Sequence, residues 1–328
     1  MNTFLVFLEQ REGVVKEVSI KAWNLVQEFV VLRPDTCVSA LLAGPADVLQ
    51  LDGRLAGKGV VYHANEEALR LCNPQHYTRL IAETMERVGA TTLFFADTAL
   101  SRDLAPRLSV RLQASLLSGC TFDEAWWDGG GCQRLVYSGA AMAISVPRHP
   151  LKIYTILPHA TGSSPIISGA RITVELLEPL LLTSQEFFPL VRRMTMRQGV
   201  PDVAEAAIIV AGGRGMGSAE GFALLEELAR LLGGAVGASR PVVDEGWRPH
   251  AEQIGQTGKT VAPALYLACA ISGTPQHLAA IGSAGTIVAI NRDPNAPIFD
   301  VADYGIVGDV HFVLPKLIEE LQEFLKKR

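Results

Sequence analysis

The sequence predicts an α/β protein of two domains, each a mostly parallel sheet flanked by helices. Three observations carry this. The chain has 328 residues, more than one ordinary core supports and a comfortable length for two. Short, almost wholly apolar runs recur along it, among them TFLVFLEQ, CVSALLAG, TTLFFAD, AAIIVA, LYLACA and TIVAIN. Unbroken apolarity, rather than strict alternation, marks strands covered on both faces. The stretches between them carry helical spacing or helix-end signals, and strand–helix alternation implies parallel pairing.

In the first domain TFLVFLEQ (3–10) reads as a strand. VSIKAWNLVQEFV (18–30) has helical spacing, with Val18, Ala22, Leu25, Val26 and Phe29 near one face. CVSALLAG (37–44) and GVVYHA (59–64) are strands. A helix opens at Asn73 with Pro74 in its first position and stops at Gly89. TTLFFAD (91–97) is a strand, and APRLSVRLQASLLSG (105–119) reads as a helix starting at Pro106. Beyond residue 121 the pattern loosens: LVYSGAAMAISV, KIYTILPH and SGARITVELLEPLL look like β segments. Periodicity fades between 189 and 202, so the domains are expected to be 1–195 and 196–328.

The second domain restarts with the strand AAIIVA, the loop GGRGMGS and the helix AEGFALLEELARLLG, closed by Gly233 and Gly234. AVGASR is a short strand, and PVVDEGWRPHAEQIGQTGK reads as a long loop. LYLACA, ISGTPQ, HLAAI and TIVAIN form a strand–loop–helix–strand unit. NRDPNAPIFDVADYGIVGD is a polar connection, and LPKLIEELQEFLKKR is a closing helix with basic residues in its last turn, where they complement the macrodipole.

Composition excludes several classes. The net charge of −5, with no basic cluster, argues against nucleic acid and anionic membrane surfaces. No apolar run approaches the length of a transmembrane span, and MNTFLVFLEQ carries no basic leader. A cytoplasmic location is therefore expected. Cys37, Cys72, Cys120, Cys132 and Cys269 form no CxxC pair and fit neither zinc nor iron–sulfur spacing. They are expected to be thiols in a reducing compartment.

The chemistry lies in polar loops at the carboxyl ends of the second domain's strands, the edge where open parallel sheets bind ligands. GGRGMGS fails the GxGxxG dinucleotide pattern, which needs glycine at Ser218 or Glu220. What remains is a glycine-rich turn with Arg214, suited to a phosphate or simply a turn. IGQTGK ends like a P-loop, yet Gln253 stands where GxxxxGK needs glycine. ISGTPQH interrupts two apolar runs. Pro275 suits the first helical position, Ser272 or Thr274 can cap, and Gln276 and His277 fall in the first turn, where free amides favour negative charge.

The segments AGGRGMGS, GASRPVVDEGW, QIGQTGKTVAPALYLACAISGTPQHLAAI and TIVAINRDPNAPIFDVADYGIVGD, in this order, closely resemble the α subunit of electron transfer flavoprotein. SRDLAPRLSVRL and YSGAAMAI resemble its first domain more loosely. The resemblance implies a Rossmann-like C-terminal domain that binds FAD. It also implies a first domain that packs on a separate β subunit holding AMP or, in bifurcating members, a second FAD. Such a heterodimer carries electrons from acyl-CoA-type or other dehydrogenases to a quinone oxidoreductase, or exchanges them with ferredoxin. By the same resemblance Arg240 lies against the isoalloxazine, Thr257 near its N5 and His277 near its pyrimidine edge. Ser239, Gln253, Ile254, Gly255, Gln256, Ser272, Gly273, Thr274, Pro275 and Gln276 match further flavin contacts. Arg214, Asn291, Asp309 and Val310 match positions along the rest of FAD. Two departures stand out: Ala270 where the family has glycine, and Thr274-Pro275 where it has a small residue then an aliphatic one.

The residues agree in kind. Reduction places negative charge on a flavin, and a fixed guanidinium beside it raises the potential. No catalytic triad, HExxH motif or paired carboxylate stands out. The competing readings are an FAD- or NAD-dependent oxidoreductase with its own small substrate, for which His277 alone offers an acid/base, and a colourless nucleotide-binding module.

Overall fold

A computed structural model describes residues 2–31, 33, 35–121, 131–137, 141–157, 171–178 and 202–327. The chain divides into two compact units, residues 1–134 with 143–194, and residues 195–328 with 135–142. The predicted loss of periodicity over 189–201 lies outside the described residues.

The first unit opens with β1 (Asn2–Leu8), the small hairpin β2 (Gln10–Arg11) and β3 (Val14–Val15), α1 (Glu17–Val31), β4 (Thr36–Ala43) and β5 (Lys58–Ala64). It continues through α2 (Pro74–Val88), β6 (Thr92–Ala96), α3 (Ala99–Leu112) and β7 (Ser115–Cys120). Strands β8 (Cys132–Val136) and β9 (Ala141–Ser145), which form a separate two-stranded sheet, precede β10 (Lys152–Ile156) and β11 (Arg171–Leu176). Seven of these strands form one sheet in the order β11-β5-β4-β1-β6-β10-β7, with every neighbour parallel. The pleat of β1 divides its residues between two cores. Phe4, Val6 and Leu8 join Trp23 and Val26 of α1, whereas Leu5 and Phe7 join Leu80 of α2 and Leu104 of α3. Both faces are thus covered, which is why β1 reads as an unbroken apolar run.

Local signals explain the helix ends. Asn73 Oδ1 accepts from the Gln75 amide, Pro74 takes the first position, and Gly89 ends the helix at φ 64°. The expected helix from Pro106 is corrected. It begins at Ala99, because Thr98 and Ser101 form a reciprocal capping box, and Pro106 sits inside it. Gln113 turns left-handed at φ 51°, and the SLLSGC that follows is strand β7. Five free thiols were also expected; instead Cys120 and Cys132 form a disulfide. Burial pushes the thiols of Cys72 and Cys269 up to about 12, so neither is a ready nucleophile.

The second unit contains β12 (Ile208–Gly212), α4 (Ala223–Leu232), β13 (Ala235–Ala238), α5 (Arg240–Asp244), β14 (Leu265–Cys269), α6 (Pro275–Ile281), β15 (Thr286–Asn291), β16 (Tyr304–Val307) and α7 (Val310–Lys326). Its five strands run parallel in the order β13-β12-β14-β15-β16. Val210, Leu267 and Cys269 face α4 and α7 through Leu225, Leu228, Leu314 and Ile318. Ile209, Ala211, Tyr266 and Ala268 face α6 through Ala280 and Ile281. Three expectations are corrected here. The long loop after β13 contains α5. The polar connection contains strand β16. The closing helix starts at Val310, because Asp309 caps it by accepting from the His311 amide at 2.9 Å. Among the described residues no helix is long and apolar enough to cross a membrane.

Candidate functional site

In the second sheet β12 has β13 on one side and β14 on the other. The strand order therefore reverses at β12, and a crevice opens beyond the carboxyl ends of β12 and β14. Here lies a cleft of about 720 Å³, within the range of roughly 300–1,000 Å³ usual for cofactor sites.

Each wall is a loop leaving a strand. After β12 the chain passes Gly213, Arg214 and Gly215. Gly213 is required by close approach: a Cβ there would overlap the Ala270 carbonyl oxygen. The absence of that Cβ lets the loops after β12 and β14 lie side by side, joined by the Gly213 amide donating to the Cys269 carbonyl at 2.9 Å. After β13 come Ser239, Arg240 and Pro241.

The segment 254–257 is remote from β13 in sequence but is stitched back to it. The Ile254 amide donates to the Ala238 carbonyl at 2.9 Å, and Gln253 bridges Ala238 in parallel register. Arg248 anchors the approach, holding Glu252 at 2.6 Å and Glu226 of α4 at 2.5 Å. This folding-back brings Ile254, Gly255, Gln256 and Thr257 to the cleft. After β14 come Ala270, Ile271, Ser272, Gly273 and Thr274, then Gln276 and His277 of α6. Gly273 has φ 85°, and a Cβ there would strike the backbone of Ile298, whose amide donates to the Ser272 carbonyl at 3.0 Å. Asn291 and Arg292 follow β15, and Gly308, Asp309 and Val310 complete the wall. Asn291 Nδ2 donates to the Ile271 carbonyl at 2.8 Å, tying two of these loops together.

The structure therefore brings together all the predicted site residues except Gln253 and Pro275. Gln253 is buried beneath the loop, and its Nε2 donates to Thr257 Oγ1 at 2.9 Å. It braces the wall without lining it. Pro275 fixes the first turn of α6 from the exposed side. Thr274 occupies the capping position, but its side chain makes no capping bond. The structure adds Gly213, Gly215, Pro241, Ala270, Ile271, Arg292 and Gly308. Arg292 is a third guanidinium, and the sequence signal for it was its place directly after Asn291 in a polar run.

Two residues of the wall, His277 and Ala270, have distinctive surroundings or backbone. His277 is buried, and its Nε2 lies 2.8 Å from the Tyr266 hydroxyl. Burial pushes the ring down to about 4, with the Ile254 carbonyl beside it pulling the other way. It is therefore a neutral ring with one nitrogen already engaged, which suits a fixed dipole better than a general base. Ala270, the departure noted in sequence, adopts φ 54°. That is a left-handed conformation natural to glycine and strained for alanine.

The donor set suits a flavin dinucleotide. Arg214, Arg240 and Arg292 supply positive charge, and glycine-rich turns let backbone amides approach. The walls mix apolar and polar groups as a ring system with a polar edge requires. A parallel sheet with its ligand cleft at the switch point and a cationic, glycine-lined rim defines a nucleotide-cofactor domain of the doubly wound class.

Comparison with known proteins carries this further. Residues 4–180 match the electron transfer flavoprotein domain, and residues 202–282 match the electron transfer flavoprotein FAD-binding domain. The chain is similar to Protein FixB of Clostridium saccharobutylicum, with 38% identity over 98% of this chain and 96% of that protein. It is also similar to electron transfer flavoprotein subunit alpha of Bacillus subtilis (strain 168), with 40% identity over 97% of each. For the corresponding subunit of Thermoanaerobacterium thermosaccharolyticum the identity is 36% over 97% of each. The chain belongs to the electron transfer flavoprotein α subunit family, a family of electron carriers rather than of enzymes with a substrate of their own.

Proposed function

We propose that the switch-point cleft holds FAD, with Arg240, Thr257, His277, Ser239, Gln256, Ser272 and Gln276 at the isoalloxazine and Arg214, Asn291 and Asp309 along the rest. The observation that carries this reading is the convergence of loops from all five strands of the second sheet on one cleft of dinucleotide size. FAD supplies reversible uptake of one or two electrons, and the chain's own residues bind, orient and tune. The exposed Arg240 guanidinium, 3.4 Å from Asp244, is placed to favour negative charge at the cleft rim. Gln253 keeps the Thr257 hydroxyl in place. The neutral His277 contributes a dipole instead of a charge.

By the same reading the chain works as one half of a heterodimer. Its first unit provides the surface for a β subunit carrying AMP or a second FAD, and the pair carries electrons in the cytoplasm between a dehydrogenase and a quinone-linked or ferredoxin-linked acceptor. What supports the pairing is that the relatives from Bacillus and Thermoanaerobacterium are named as alpha subunits. The own-substrate alternative needs an acid/base facing the ring, and a His277 already bonded to Tyr266 serves that role poorly.

Titration of the full chain with FAD, followed by flavin fluorescence, tests the cleft. Saturable quenching is expected in the wild type and its loss in Gly273→Ala, because the added Cβ strikes the Ile298 backbone. Equal binding by both proteins, or none by the wild type, overturns the reading.

A further inference from the structure

Tyr266 lies within β14, fully buried, on the sheet face that packs against α6. A phenol in that position brings a hydroxyl proton into an apolar core, where an unmet donor is disfavoured. Among the described residues the Tyr266 hydroxyl has one hydrogen-bond partner, His277 Nε2 at 2.8 Å. Two arrangements are possible. If Nε2–H donated to the phenol oxygen, the phenol proton would have no acceptor. If the phenol donates to a bare Nε2, both groups are satisfied, and a neutral imidazole must then carry its proton on Nδ1. Burial holds the phenol well above its ordinary value, so its proton is always there to donate, and burial likewise keeps the ring neutral.

We propose that Tyr266 is a positioning residue for His277: its hydroxyl donates to Nε2, confines the ring's proton to Nδ1, and so gives the cleft wall a fixed N–H donor. That donor serves the Ile254 carbonyl beside the ring or an acceptor atom in the cleft. The assignment follows from the hydrogen-bond network of the chain itself. Its consequence for a bound flavin rests on the reading that the cleft holds FAD. With the phenol gone, the proton is free to move to Nε2, and a lone pair at Nδ1 disfavours negative charge gathering nearby.

Two measurements on the full chain test this. Long-range proton–nitrogen correlation spectra of histidine-labelled protein report the tautomer directly, with the His277 signals assigned by their absence in His277→Gln. A protonated Nδ1 with a bare Nε2 is expected. A proton on Nε2, or an averaged mixture, overturns the proposal whether or not FAD binds.

In the FAD-loaded chain Tyr266→Phe is expected to lower the flavin midpoint potential in the wild-type background and to leave it unchanged in the His277→Gln background. A shift of equal size in both backgrounds, or in neither, overturns the positioning role. Should Tyr266→Phe not fold, the wild-type tautomer still decides. Should the chain hold no FAD, the proposed function fails, while the tautomer measurement stands on its own.

Discussion

Arg240 and Asp244 are both more than half exposed, and their 3.4 Å pair is therefore weakly held. Such a guanidinium is available to a ligand, and its removal is worth on the order of 1 kcal/mol, or roughly 20 mV for a two-electron couple. Arg240→Ala is expected to lower the midpoint potential of bound flavin by about that amount, read in a redox titration. Burial weakens the hold of the His277 ring on a proton. Its folded value of about 4 lies below the ordinary 6.5, so the unfolded chain binds the extra proton first. Stability is full above about pH 6.5 and falls as pH drops toward 4, by up to about 3 kcal/mol from this ring alone. Urea unfolding across that window should show a shallower acid loss in His277→Gln. At Ala270 the left-handed φ of 54° strains a Cβ that glycine lacks. Ala270→Gly is expected to raise stability by roughly 0.5–1 kcal/mol after the looser unfolded chain is counted, measured by the same unfolding curves.

Among the elements, those with paired start and stop signals were legible and those defined by distant partners were not. Helix α2 announces itself through Asn73, Pro74 and Gly89, and all three perform the expected roles. Helix α3 misleads because Pro106, a common helix opener, lies inside it. The deciding signal was the Thr98–Ser101 capping box, which opens eight residues upstream, a Thr/Ser pair weaker to the eye than the usual Thr/Glu one. Strand β16 was missed because its burial pattern is exposed throughout. Only pairing with β15 makes YGIV a strand, and pairing leaves no local period in a short exposed edge segment. Helix α5 was missed for its brevity, five residues opening on Arg240-Pro241. The cleft lies in the links between elements. Gly213 and Gly273 act by close approach to backbone in other loops, which composition alone does not reveal.

For the molecule as a whole, the two sheets differ in what their carboxyl edges do. In the first unit the charged groups near the β1–β6 switch point answer one another: Glu9 pairs with Lys16 at 2.5 Å and accepts from Thr98 Oγ1 at 2.6 Å, and Asp97 pairs with Arg102 at 2.8 Å. In the second unit the corresponding edge opens into the cleft. A ligand that binds only the folded second unit stabilises it by mass action, about 2.7 kcal/mol at a hundredfold excess over its Kd. FAD loading is therefore expected to move the unfolding transition of residues 202–327 upward and to leave that of the first sheet in place. Hydrogen exchange followed by peptide shows this segment by segment. Uniform protection of both units would mean that the cofactor's effect is not confined to its own sheet.

The amino-acid order determined the strand–helix alternation, the parallel sheets that follow from unbroken apolar runs, and the family, because ISGTPQH, GASRPVVDEGW and IGQTGK are contiguous motifs whose residues lie side by side in the chain. Tertiary structure decided how those motifs meet. The return of Ile254 to Ala238, the burial of Gln253 beneath Thr257 and the bond from Tyr266 to His277 each join residues four to sixteen positions apart through the sheet and its loops. The reason is physical. Periodicity and capping are written within a few neighbouring residues, whereas a ring's protonation state and a loop's seat depend on which distant group shares its few ångströms of dry space.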